Sequence, residues 1–132
     1  MTDHEFMASF EDCSLPNRLF RHADHVRMAF LYLNRYPALE ALARFSSSLA
    51  RFAAANGKPG LYNETVTWAF LLLIRERMAR AGVPQTWPQF AADNVDLMSR
   101  KDNVLKRYYR DETLKSELAR KTFLLPDRAG RE

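Results

Sequence analysis

Along this chain apolar side chains recur every three or four residues, the spacing that lines one face of an α-helix. Phe6, Met7 and Phe10 mark a short helix over residues 3–12, and Pro16 in "SLPN" interrupts it. Val26, Ala29, Phe30 and Leu33 define a second helix from about Ala23 to Tyr36. Pro37 suits the first turn of a third, "PALEALARFSSSLARFAAAN", whose buried stripe is Leu39, Leu42, Phe45, Leu49 and Phe52. Ser46, Ser47 and Ser48 are mildly unfavourable inside a helix, which makes this the expected place for a bend or a close helix approach. "NGKPG" closes the third helix: Asn56 and Gly57 suit a left-handed cap, and Pro59 stops continuation.

A fourth helix is predicted from Asn63 to Ala81, ended by Gly82 and Pro84. From Trp68 through Ile74 it is apolar almost all round, so other helices should cover it on several sides and make it central. Arg75, Glu76, Arg77 and Arg80 predict that its C-terminal end emerges into solvent. Shorter helices are expected over "TWPQFAADN", across Asp102–Tyr109 and across Glu112–Ala119, and the tail "RAGRE" should fray. No stretch alternates with period two for long enough to predict a sheet. The expected fold is all-α: one domain over residues 1–132, a bundle of about four main helices with short C-terminal ones packed on it.

Composition changes this picture little. The 132 residues are 47% hydrophobic and 27% charged, within the globular range and short for two domains. The formal charge of +4 is small and its acids and bases are interspersed, which disfavours a dedicated nucleic-acid binder. The single cysteine, Cys13, allows no intramolecular disulfide. Acids near the N-terminus and an apolar run limited to residues 68–74 predict a soluble, cytoplasmic protein with neither secretory signal nor membrane span.

Two stretches concentrate candidate chemistry. In "LFRHADHVRMAF", His22 and His25 stand three apart, neighbours on one helical face where they can act as acid/base groups or metal ligands. In "LYNETVTWAF", Tyr62, Asn63, Glu64, Thr65 and Thr67 open the most apolar helix. Packing of the two helices would bring both clusters to one end of the core. Two histidines and a carboxylate, Glu64, could then form an open metal site or an acid/base pair around a small molecule. Plainer roles exist for each residue: Asn63 as N-cap, Glu64 at the positive helix end, Thr65 and Thr67 bonding to backbone, Asp24 capping a helix behind a solvated His22. "RKDNVLKRYYR" has the composition of a phosphate-and-stacking surface, but reads better as a solvated helix with Leu105 and Tyr109 inward.

"FRHADHVRMAFLYL" followed by "YNETVTWAF" resembles a bacterial family of small helical proteins. That family has a histidine-x-x-histidine helix opening and a later tyrosine-histidine-glutamate-threonine-x-threonine segment. "VLKRYYRDETLKSELARKTFLLPD" resembles its C-terminal pattern, so the likeness spans nearly the whole chain. The resemblance implies an all-helical fold and a site at His22, His25, Tyr62, Glu64, Thr65 and Thr67, but no particular reaction or cofactor. Asn63 stands where the family has histidine, and an amide neither titrates near neutral pH nor binds transition metals well. The reading is therefore a small-molecule site with His22, His25 and Glu64 as candidate catalytic groups and Tyr62, Asn63, Thr65 and Thr67 as ligand-binding groups. The competing reading is a non-catalytic interaction or structural protein, a homo-oligomer using the Arg-rich end of the fourth helix and Tyr108–Tyr109.

Overall fold

The computed structural model describes residues 1–128 and contains helices and no strand among them. Helix α1 (Asp3–Glu11) opens with a capping box: Thr2 Oγ1 accepts from the Glu5 amide, and the Glu5 carboxylate accepts from the Thr2 amide. Phe6, Met7 and Phe10 are its buried face. A 3-10 turn at Asn17–Leu19 leads to α2 (His22–Arg35) and α3 (Ala38–Ala55). Gly57, with φ +74°, supplies the left-handed turn after α3, and Gly82, with φ +77°, does the same after α4 (Glu64–Ala81). Helix α4 packs on α2 and α3 and, at its start, on the C-terminal region.

The core is aromatic. Phe10 contacts Phe20, Phe45, Phe52 and Tyr32, with ring centroids 5.0–6.2 Å apart, so α1, α2 and α3 are joined through one ring. Helix α3 runs unbroken through the three serines. Ser48 is buried beside the Tyr32 hydroxyl, which donates to Glu11 at 2.5 Å, and Ser46 sits near the Tyr62 hydroxyl. Small hydroxyls here admit bulky phenols to the interior.

Several expectations need correction. Leu39, in the first turn of α3, is 81% exposed and belongs to neither core cluster; Leu42, Phe45 and Phe52 are buried and Leu49 is half-buried. Leu72, 41% exposed, shows that α4 keeps one face uncovered. Arg77 does not emerge freely: its guanidinium grips Asp96 through two bonds of 2.9 and 3.0 Å and also donates to Asn94. Residues 87–93 form the expected short helix α5 (Trp87–Asp93), capped by Thr86. Across Asp102–Tyr109 there is only a 3-10 turn, Val104–Arg107. The region around Glu112–Ala119 splits into α6 (Asp111–Leu114) and α7 (Glu117–Lys121), because the Ser116 hydroxyl caps α7 and donates back to the Thr113 carbonyl. Arg128, the first residue of "RAGRE", is tied to the Tyr108 and Lys106 carbonyls, while residues 129–132 lie outside the described range. No helix among the described residues is long and apolar enough to cross a membrane.

The extended segment after α7 clasps the start of α4. Thr65, fully buried, donates its hydroxyl to the Thr122 carbonyl at 2.7 Å and accepts from the Leu124 amide at 3.0 Å. Tyr109 donates to the Leu124 carbonyl, and Phe123 stacks on Trp68. Thr65→Val keeps the shape but strands both backbone groups, a loss of about 1–3 kcal/mol. Urea unfolding should show that loss for Thr65→Val and a much smaller one for Thr65→Ser, together with faster amide exchange at Leu124. Equal stability of Thr65→Val and the parent would contradict this account of the clasp.

Candidate functional site

Between the starts of α2 and α4 lies an open cavity of about 540 Å³. Its floor is apolar, built from Phe20, Phe45, Leu49, Phe52, Phe70 and Ile74. His22 and His25 line one wall, and Tyr62, Asn63 and Thr67 line another. The helical spacing of His22 and His25 puts both rings on the cavity side of the first turn of α2.

His25 stacks on Phe20 with ring centroids 4.0 Å apart and planes 20° from parallel. It keeps some accessible surface toward the cavity, yet protein surrounds it on the other sides. That burial, with the neighbouring His22 and the Arg100 charge adding to it, pushes the imidazole down to about 4. His22 Nε2 lies 3.0 Å from the Leu97 carbonyl, and its ring meets Phe70 edge-on. A carbonyl only accepts, so Nε2 carries the proton and Nδ1 is the acceptor of the neutral ring. Burial lowers His22 below its ordinary value as well. Both rings are neutral at neutral pH, and His25 is a weak base.

The polar residues that open α4 divide by helical phase. Tyr62 faces the cavity and donates its hydroxyl to the Glu64 carboxylate; burial, with that bond adding to it, pushes the phenol up to about 12. Glu64 itself is not part of the cavity wall. Thr65 turns away into the C-terminal clasp, whereas Thr67 is buried against the cavity. Asn63 does two things at once: Oδ1 accepts from the Val66 amide as the N-cap of α4, and Nδ2 donates to the Leu114 carbonyl at 2.8 Å. One acceptor and one donor on a single side chain is also what a neutral imidazole offers, so the position makes chemical sense with either residue.

No group of three or more histidine, cysteine, aspartate or glutamate side chains stands close enough to hold a metal among the described residues. The two histidines and Glu64 are thus not assembled as one ligand set; the carboxylate is engaged by Tyr62 instead. Two lining cations to which the sequence patterns gave no site role are Arg21, just before α2, and Lys58, in the loop after α3; a third, Arg100, after the Val95–Met98 turn, opens the stretch "RKDNVLKRYYR" that read better as a solvated helix. None of the three belongs to a periodic face, so only the folded chain brings them here. Tyr109, a candidate interface residue, is buried in the C-terminal cluster with Leu105 and Leu114. Cys13 is half-buried and outside the cavity wall, and His4 is exposed.

Two predictions follow from this geometry. Asn63→Asp keeps the cap acceptor but sets a carboxylate against the Leu114 carbonyl, which should cost about 1–2 kcal/mol in urea unfolding; an unchanged midpoint would remove the Leu114 bond from the account. For His25 the sign is fixed by its depressed protonation. Above pH 6.5 the ring is neutral in both states and stability is complete; between pH 6.5 and about 4 the unfolded chain takes up a proton that the folded chain refuses. Stability should fall across that window by on the order of 2–3 kcal/mol from this residue. His25→Gln cannot titrate and should flatten the slope there; a slope equal to the parent's would show His25 to be solvated.

Comparisons with protein-family models, with curated proteins and with solved structures found no match to this chain.

Proposed function

We propose that this protein binds a small organic molecule in the cavity between α2 and α4. His22, His25, Tyr62, Asn63 and Thr67 would orient the ligand over the aromatic floor. The observation that carries the reading is the meeting, in one hollow of about 540 Å³, of a histidine pair from one helix with the polar opening of another. That volume lies in the range of small-molecule sites, and an apolar lining with a few convergent polar groups is their usual construction. Glu64 is a positioning residue in this reading: it accepts the Tyr62 proton and fixes the phenol, without itself touching the ligand. A His25 ring held down to about 4 favours binding over proton abstraction, since a general base works best near the operating pH.

The experiment uses 1-N-phenylnaphthylamine, a neutral dye that fluoresces in apolar surroundings. It should bind saturably at one site. Ala53 lies on the cavity wall, and Ala53→Trp should fill the hollow and abolish the signal. The thermal midpoint of Ala53→Trp and a milder Ala53→Leu, which should weaken binding partially, control for folding. A parent protein that gives no saturable signal, or a folded Ala53→Trp that binds as well as the parent, would sink the proposal.

A further inference from the structure

The charged residues that line the cavity are all of one sign. Its wall comprises 23 residues, among them Arg21, Lys58 and Arg100, and not one aspartate or glutamate, in a chain that has 16 acidic side chains. The three cations come from three separate places: the residue before α2, the loop after α3 and the loop after the Val95–Met98 turn. None of them forms an ion pair or a side-chain hydrogen bond among the described residues. Arg27, Arg44, Arg77 and Arg80 are each matched to a carboxylate, whereas Arg18, Arg75 and Arg110 form no ion pair among the described residues; what distinguishes Arg21, Lys58 and Arg100 is their shared place on the cavity wall. Three acids adjoin wall residues in sequence without lining the cavity: Asp24, which accepts from the Arg21 amide, Glu64, which accepts from the Tyr62 hydroxyl, and Asp102, beside Asn103. Helices α2 and α4 also begin here, so their positive ends add to the same field.

We infer that the ligand of this cavity is an organic anion, a carboxylate or comparable acid on an aromatic or branched apolar body, held by Arg21, Lys58 and Arg100. The inference rests on the small-molecule reading above and deepens it. The apolar body lies on the floor of Phe20, Phe45 and Phe52, and the acid group meets the cations at the mouth. Unmatched guanidinium and ammonium groups beside an apolar hollow raise the local concentration of anions and repel cations of the same shape. A carboxylate also accepts charge-assisted hydrogen bonds, which are stronger than those of a neutral amide. His22, with Nε2 committed to the Leu97 carbonyl, offers the ligand a lone pair and not a charge, so the discrimination falls to the three cations.

The test displaces bound 1-N-phenylnaphthylamine with three matched compounds: 4-phenylbutanoate, 4-phenylbutanamide and 4-phenylbutylamine. The anion should compete about tenfold or more better than the amide, and the amine worst. In the variant carrying Arg21→Ala, Lys58→Ala and Arg100→Ala together, the anion and amide should become equal while the dye still binds. All three positions are exposed, so the fold should survive. Arg100→Glu should move the preference toward the amine, and Arg100→Lys should keep the anion ahead. If the dye binds but the three compounds compete equally, or the amine wins, the anion inference is overturned and the cavity reading stands. An anion preference that persists in the triple variant overturns the assignment to these cations. If the dye does not bind at all, the cavity reading fails and takes this inference with it.

Discussion

The structure turns on the first turn of α4, where one buried hydroxyl fixes the relation between two halves of the chain. Thr65 Oγ1 sits between the Thr122 carbonyl and the Leu124 amide, donating to one and accepting from the other. An extended segment has no internal hydrogen bonds, so its backbone groups need partners when they are covered. The threonine supplies two at a single point, and Asn63 adds a bond to the Leu114 carbonyl at the end of α6. With the start of α4 pinned on its outer side, its inner side is free to face α2. That constraint sets where Tyr62, Asn63 and Thr67 stand, and it turns a polar helix opening into the wall of a cavity.

Helical phase explains why such a polar sequence precedes such an apolar run. Thr65 and Thr67 are two residues apart, which on a helix is a wide rotation, so one reaches the clasp and the other the hollow. Glu64, one residue before Thr65, closes on Tyr62. Further along, Phe70 and Leu73 pack against both the main core and the smaller cluster of Leu105, Tyr109 and Leu114, joining what the clasp has brought together. The same helix therefore serves as seam and as wall.

What could be read from the chain beforehand was what local spacing encodes. The spans of α1 to α4, the glycine turns after α3 and α4, and the inward packing of Leu105 and Tyr109 all follow from periodicity, caps and breakers. Leu39 was misplaced because a stripe of apolar residues does not say which of its members a neighbour covers. The split at Ser116 was missed because a serine hydroxyl competes for the backbone only when its neighbours let the helix break. On the candidate site, the histidine spacing and the polar opening of α4 pointed to side chains that do share a cavity wall, namely His22, His25, Tyr62, Asn63 and Thr67. Glu64 and Thr65 sit on the same short stretch, yet their partners, Tyr62 and the C-terminal segment, are chosen by tertiary packing. Lys58 carried no signal, because an isolated cation in a loop looks the same whether it faces water or a pocket; Arg100 opens "RKDNVLKRYYR", whose composition reads better as a solvated helix than as a phosphate surface.

The hollow itself is the feature that packing alone does not favour. Protein interiors close to crystalline density, and an aromatic floor left open to solvent forgoes both burial and dispersion contacts. Filling it would need only larger side chains at positions such as Ala29 or Ala53, both on the wall. Arg21, Lys58 and Arg100 place three positive charges on the same wall, with no carboxylate among its lining residues. An open apolar floor lowers stability in the absence of a ligand. An apolar body on the floor with a negative group at the mouth would relieve that loss and meet the cations. Coincidence of apolar vacancy and single-sign charge at one place is what supports the proposed binding role, since a fold selected for stability alone has simple substitutions available to remove both.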